Sequence, residues 1–332
     1  MQQHPLKPTS ARPTPRVLVV GAGVGGLTAA ALLAHQGVSV RVLDQASAPG
    51  GKLRQAAVGP LRLDAGPTVL TMRWVFDALF DALGLVLDDQ LSLQRCTVLA
   101  RHAWGPGPAN QLDLLADLEA SVDAIATFSS AAEARRYRAF CHRAQGIFST
   151  LDQPFLRSPR PNPVSLAWRV GLGRLPDLVK ITPFRSLWHA LGGYFHDPRL
   201  QQLFGRYATY CGSSPFTAPA TLMLVAHVER EAVWQVTGGM QALAQALAGA
   251  ARQQGVHIDC GQAVQEIRLH QGRACGVVLA SGEQLDADVV LFNGDAAALH
   301  AGLLGQPLQA ALGSAPALQP SLSALTWHLE AQ

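Results

Sequence analysis

At 332 residues the chain can hold one large or two ordinary domains, and 48% hydrophobic content is ample for a buried core, which excludes a disordered class. Only 15% of residues are charged, the net charge is +3 and the mean hydropathy is +0.15; no dense Lys/Arg tract with interleaved aromatics occurs, so no nucleic-acid partner is expected. No uninterrupted apolar run reaches the roughly 20 residues of a transmembrane helix.

Residues 1–15 carry prolines, polar groups and a few positive charges without an apolar core, and read as a disordered tail rather than a secretory signal. Structure begins with Val17 to Val20, a short apolar strand that runs into Gly21, Gly23 and Gly26 in the spacing G-x-G-x-x-G. Gly21 permits a tight turn, Gly23 lets backbone approach a pyrophosphate, and Gly26 lets the next helix lie close on the strand. Leu27, Ala30, Ala31 and Ala34 recur at helical spacing, and Gly37 marks the helix end. Residues 38–43 read as a second strand, closed by Asp44, whose carboxylate is placed to accept hydrogen bonds from an adenosine ribose. A glycine-rich turn alone also joins strands to helices for packing reasons. Strand, helix, second strand and terminal acid together make a nucleotide site the stronger reading.

Pro49-Gly50-Gly51-Lys52 follows, then Asp64-Ala65-Gly66-Pro67-Thr68. The run TVLTMRWVFDALFDALGL after it has helical spacing, short strands are expected around residues 91–99 and 112–115, and a helical stretch from about 122 to 150. Glu133, Arg135, Arg136 and Arg138 form a charged face there, read as solvated helix surface rather than a binding patch. Residues 157–196 alternate prolines and aromatics with Arg157, Arg160, Arg169, Arg174, Lys180 and Arg185. Two readings stand for them: a membrane-surface segment, with about 1 kcal/mol per near-surface charge, or a helical lid over a substrate cavity. From Gly238 a glycine turn, a small-residue helix ending at Gly255 and a strand repeat the βαβ pattern. Residues 263–267, 276–279 and 289–292 read as further strands, and SLSALTWHL near the end alternates like one more. Cysteines 96, 141, 211, 260 and 275 are scattered without a C-x-x-C pair and read as reduced packing residues; no histidine or acid cluster has ligand spacing, so no metal is expected.

The string from residue 17 to Thr68 resembles the flavin-containing amine oxidase and phytoene desaturase superfamily. Ala100-Arg101-His102-Ala103-Trp104, Arg206 to Phe216 (RYATYCGSSPF), Ala218-Pro219-Ala220-Thr221, and Val233-Trp234 leading to Gly238-Gly239-Met240 are similar to the bacterial carotenoid desaturases, over about residues 16–330. The wording falls nearest to members acting on 1-hydroxy or 1-methoxy acyclic carotenoids. The resemblance implies an α/β fold: a Rossmann-type FAD-binding domain, 16–70 plus 226–300, and an inserted α+β substrate and membrane-associated domain, 71–225 plus 301–332. Relatives continue with a segment that completes the substrate sheet, so the chain is expected to be truncated at its C-terminus. The implied FAD contacts are Gly21, Gly23, Gly25, Gly26, Asp44, Gly50, Gly51, Lys52 and, with its backbone over the adenine, Val264.

A carotenoid is nearly all hydrocarbon, so a side-chain base alone cannot start its oxidation. The family implies hydride transfer to FAD, with formation of a 3,4 double bond and electrons passed to oxygen or a quinone. Phytoene or another polyene is the alternative substrate, and an inactive partial chain the alternative of another kind. No Ser/His/Asp or paired-carboxylate arrangement stands out, so no catalytic residue is assigned. Arg101, His102 and Trp104 are candidates for addressing a hydroxylated end group, and Tyr207, Tyr210 and Trp234 for lining the substrate tunnel; purely structural roles are the alternative for all six. The expected location is cytoplasmic, peripherally associated with the inner membrane that dissolves the substrate.

Overall fold

The computed structural model describes residues 14–157, 185–313 and 321–330. The chain begins with strand β1 (Arg16–Val20), helix α1 (Val24–His35) and strand β2 (Ser39–Asp44), then the hairpin β3 (Gln55–Val58) and β4 (Leu61–Asp64) and the short strand β5 (Leu70–Thr71). Helices α2 (Arg73–Ala82) and α3 (Leu87–Gln90) lead to β6 (Leu93–Arg95), β7 (Val98–Ala103) and β8 (Gln111–Leu115). Helices α4 (Leu118–Phe128), α5 (Ala131–Leu151), α6 (Leu187–Tyr194), α7 (Pro198–Gly205) and α8 (Leu224–Glu231) follow, with a 3₁₀ turn at Arg206–Cys211. The chain returns through β9 (Val233–Val236), α9 (Met240–Gln253), β10 (His257–Cys260), β11 (Val264–His270), β12 (Arg273–Leu279), β13 (Gln284–Asp286) and β14 (Val289–Phe292), and adds α10 (Ala296–His300) and α11 (Gln306–Leu312).

Four strands far apart in sequence make one parallel sheet in the order β10-β2-β1-β14. Val19, Val42 and Leu43 are fully buried in it, as continuous apolar strands must be when both faces are covered. Helices α1 and α9 cover one face through Leu27, Ala30, Ala31, Ala244, Ala248 and Ala251, small side chains that let the helices lie close. Phe80, Leu83, Leu87 and Leu91 join the same core. The other face is closed by the antiparallel sheet β11-β12-β13, through Ile267, Val277 and Leu279, together with Leu304. A separate core lies between residues 112 and 226, where the rings of Tyr137, Phe140, Phe195 and Phe204 pack in stacked, tilted and edge-on pairs with centroid separations of 4.8–5.6 Å.

Three sequence expectations change. The single helix from about 122 to 150 is two helices, because Ser130 caps α5 by accepting from the Glu133 N–H. Glu133 does not belong to a solvated face: it is buried, accepts from Arg136 Nη1 at 2.6 Å and receives the His196 N–H at 3.2 Å. Residues 321–330 join no strand ladder. They run alongside Gly212, whose carbonyl accepts from the Leu322 N–H at 2.6 Å, to Asp64, whose carbonyl lies 3.2 Å from His328 Nε2, and leave Leu325, Trp327 and Leu329 exposed. Most of the 157–196 segment, and residues 1–13 of the expected tail, lie outside the described residues. No described helix is long and apolar enough to cross a membrane.

Candidate nucleotide site and buried polar cluster

The turn after β1 is built from backbone. Gly21 has φ +105°, a conformation closed to most L residues, and donates its N–H to the Leu43 carbonyl at 2.8 Å, tying the turn to β2. A Cβ on Gly26 would stand 2.0 Å from the Gly21 carbonyl oxygen, so no side chain fits where α1 meets the turn. Helix α1 starts at Gly23 with no side-chain cap and no acid in its first turn. Its free N–H groups and the positive end of its dipole are therefore left for an anion.

The other sequence-predicted cofactor residues gather around this helix end. Gly50 donates its N–H to Ala22 O at 2.8 Å and forms a parallel bridge with Gly23, which lays the second glycine pair over the first. Gly51 lies against Gly23, and Lys52 is exposed at the next position. Asp44 accepts the Ala22 N–H at 2.6 Å and the Ala46 N–H at 2.8 Å, one on each carboxylate oxygen, so it is held at the end of β2 with lone pairs remaining for ribose hydroxyls. Gly261 and Gln262 donate to Ala46 O and Asp44 O, both at 2.8 Å, which brings the start of β11 and Val264 to the same rim.

Asn293 is a site residue the sequence reading passed over. It follows β14, its N–H donates to Val20 O at 2.8 Å, and its amide faces the glycine turn: a Cβ on Gly23 would come 3.3 Å from Nδ2, and one on Gly25 2.8 Å from Oδ1. The only sequence signal was its place at the end of an apolar strand. Asp64 is a second such residue, its carboxylate accepting the Met240 N–H at 2.9–3.0 Å and fixing the Gly238-Gly239 turn at the start of α9.

The six candidate substrate residues divide. Arg101 faces outward and makes a two-bond pair with Asp113, both at 2.7 Å, which draws the Asp113 carboxyl below its ordinary value. His102, the next residue, points to the opposite face of β7, as alternation along a strand requires, and stacks on Trp104 at 5.9 Å. Trp104 packs on Phe128 and donates Nε1–H to Gln202 Oε1 at 2.8 Å. Trp234 stands apart on β9 with the Arg73 guanidinium 5.0 Å from its ring, beside the nucleotide-sheet core.

Tyr207 and Tyr210 converge on Glu229, an acid only 4% exposed. Glu229 accepts from Tyr207 Oη at 3.1 Å, from Tyr210 Oη at 2.6 Å, and from Arg206 Nη2 at 2.8 and 2.9 Å. Burial and the Glu229 charge push the Tyr210 phenol up to about 12 and raise the Tyr207 phenol well above its ordinary value, so both act as donors. Burial, with help from the Arg206 charge, pushes His102 below its ordinary 6.5 and keeps the ring neutral. Glu229 and Arg206 carried no periodic or motif signal of partnership; only the fold brings them together. Among the described residues no group of three or more His, Cys, Asp or Glu side chains is placed to hold a metal ion.

Backbone donors converging on an uncapped helix end, with a carboxylate pinned at the neighbouring strand, define a dinucleotide-binding protein of the Rossmann class. Residues 24–330 match the family model of the flavin containing amine oxidoreductases, and the chain belongs to that family of oxidoreductases, whose cofactor is FAD. It is 50% identical to a hydroxyneurosporene desaturase of Rubrivivax gelatinosus across 96% of this chain and 61% of that one. With a hydroxyneurosporene desaturase of Cereibacter sphaeroides it shares 44% identity over 96% of this chain and 64% of the relative, and with a 4,4'-diapolycopene oxygenase of a Methylomonas species 31% over 95% and 62%. The chain thus spans 61–64% of the length of these curated relatives. Among solved structures an oxidoreductase of Methanosarcina mazei superposes with a TM-score of 0.57 at 18% identity, covering 88% of this chain and 61% of that one. A putrescine oxidase with a redesigned cofactor site gives 0.55 at 16%, covering 84% and 57%. These likenesses show the fold.

Proposed function

We propose that the protein containing this chain is an FAD-dependent carotenoid desaturase that introduces a 3,4 double bond into a 1-hydroxy or 1-methoxy acyclic carotenoid. The observation that carries the reading is the 50% identity with a hydroxyneurosporene desaturase along nearly the whole chain. FAD would supply the hydride acceptor for an oxidation in which the substrate loses two hydrogens, one as hydride and one as a proton from the adjacent carbon, and gains one C=C bond, with oxygen or a quinone as the final acceptor of the electrons.

The chain's own residues supply binding and orientation. The α1 N-terminus and the backbone of Gly21, Gly23, Gly25 and Gly26 would hold the pyrophosphate, Asp44 the ribose, the edge at Val264 the adenine, and Gly50, Gly51 and Lys52 the stretch toward the flavin. Asn293, seated against the glycine turn, would fix that turn's shape. No side chain is assigned the proton; charge spread along a polyene lessens the demand for a dedicated base. An acyclic carotenoid dissolves in lipid, which supports a cytoplasmic protein peripherally bound to the inner membrane.

The reading is tested by expressing the protein that contains this chain in cells accumulating hydroxyneurosporene and analysing the pigments. The expected product absorbs at longer wavelength, with one more conjugated double bond. Unchanged hydroxyneurosporene from a protein carrying FAD would overturn it, and conversion of phytoene instead would transfer the activity to the alternative substrate.

A further inference from the structure

We propose that Asn293 is a direct cofactor residue, its side-chain amide donating to the pyrophosphate of FAD beside the backbone donors of α1; this rests on the placement of FAD at the glycine turn given above. The backbone of Asn293 is fixed from two sides. Its N–H donates to Val20 O at 2.8 Å, where β14 runs parallel to β1, and its carbonyl lies against Gly21, a Cβ on which would come 3.2 Å from that oxygen. From this anchor the side chain crosses the first turn of α1. Cβ atoms on Gly23 and Gly26 would come 3.3 and 3.0 Å from Nδ2, and one on Gly25 would come 2.8 Å from Oδ1.

Gly25 is the informative neighbour. The spacing G-x-G-x-x-G asks for glycine at 21, 23 and 26 and leaves position 25 free. Gly25 is exposed within α1 and has no positive φ, a place where glycine is disfavoured and a side chain would ordinarily be welcome. What a side chain there would meet is the Asn293 amide. Seated in this way, the amide has no protein partner: among the described residues neither Oδ1 nor Nδ2 makes a hydrogen bond. The nearby carboxylates are engaged elsewhere, Asp44 with the Ala22 and Ala46 N–H groups and Asp295 with the Ala297 N–H. Asn293 is half-buried, with Gly25 and Gly294 exposed beside it, so its donors are open to a ligand. An amide nitrogen carries two N–H donors, and they stand next to the free N–H groups of the first turn of α1. A pyrophosphate can accept from both sets at once.

The experiment uses the protein that contains this chain, freed of flavin, and reads FAD affinity from flavin fluorescence, ADP affinity from displacement of FAD, and the thermal midpoint of the apoprotein. ADP carries the pyrophosphate and the adenosine ribose without the flavin. Asn293→Asp keeps the shape of the side chain and exchanges the donor for a carboxylate. It is expected to weaken FAD and ADP alike by at least about tenfold, the loss of a hydrogen bond to a charged group. The apoprotein midpoint should stay unchanged or rise, because a carboxylate suits a helix N-terminus that lacks an acid. Gly25→Ala, which pushes the amide aside, should weaken FAD when Asn293 is present and have little effect once Asn293→Ala has removed the amide. Unchanged affinity in Asn293→Asp, or a loss of affinity in step with a lowered apoprotein midpoint, would overturn the contact and leave Asn293 a shaper of the turn. A loss for FAD but not for ADP, or equal effects of Gly25→Ala in both backgrounds, would overturn it as well. In each of these cases displacement of FAD by ADP from the unsubstituted protein keeps the cofactor at the glycine turn; failure of ADP to displace it would remove that placement together with the contact.

Discussion

The nucleotide sheet and the region between residues 98 and 231 solve the same problem, placing polar groups inside an apolar protein, by opposite means. At the glycine turn the polar groups are backbone N–H and C=O, positioned by the absence of side chains at Gly21, Gly23 and Gly26 and held by bonds such as Gly21 to Leu43 and Gly50 to Ala22. Around Glu229 they are side chains from β7, the turn at Arg206–Cys211 and α8, and four hydrogen bonds end on one carboxylate. A backbone site tolerates no added atoms. A side-chain site tolerates no lost partner.

That contrast is most easily broken at Gly26. Gly26→Val should cost the most, because a Cβ 2.0 Å from a backbone oxygen can be accommodated only by moving α1 off the sheet. The expected outcome is loss of the FAD absorption band after gel filtration together with a lowered thermal midpoint. Glu229→Ala comes next. It leaves Arg206 largely buried without its counter-charge and should destabilise the chain by about 3 kcal/mol in urea unfolding, with flavin affinity much less affected. Equal loss of flavin affinity in both variants would erase the distinction.

The smallest effect is expected at Asp197, which caps α7 by accepting the Arg199 N–H at 2.9 Å and also accepts from Ser129 Oγ at 2.7 Å. Asp197→Ala should cost about 1 kcal/mol at neutral pH, the usual worth of an N-cap. The Arg199 guanidinium holds the Asp197 carboxyl at about 2, below its ordinary 3.8. A carboxyl depressed by folding adds stability above its unfolded value and loses it on acidification through the folded one, so the gap between the two proteins should narrow as pH falls from about 4 to about 2. A gap independent of pH would show that the capping geometry matters and the charge does not.

The same contrast explains what was legible in the sequence. Gly21 to Gly26, Asp44 and the second glycine pair are local signals, since a turn or a strand end is specified by residues next to each other, and the structure brings them together at the start of α1. Arg101, His102 and Trp104 read as one group of end-group candidates, yet alternation along β7 sends Arg101 to solvent and turns His102 to the opposite face. The break at Ser129–Ser130 was hidden because helical periodicity runs on both sides of it. Asn293 and Glu229 act through partners more than 15 residues away, and no local pattern encodes such an encounter. The expected strand SLSALTWHL, residues 321–329, has the right alternation but gains no ladder partner among the described residues, for a strand is completed by its neighbour.

The order β10-β2-β1-β14 has a further consequence during synthesis. The first two strands of this sheet leave the ribosome early, but Asn293, which closes the glycine turn from the far side, emerges roughly 250 residues later, about 12–50 s at ordinary translation rates. For that interval the nascent βαβ unit has an apolar sheet edge and an open turn. Were FAD held at this turn, its capture would be a late event in the life of the polypeptide, and a scarcity of flavin would be felt only after nearly the whole of this chain had been made.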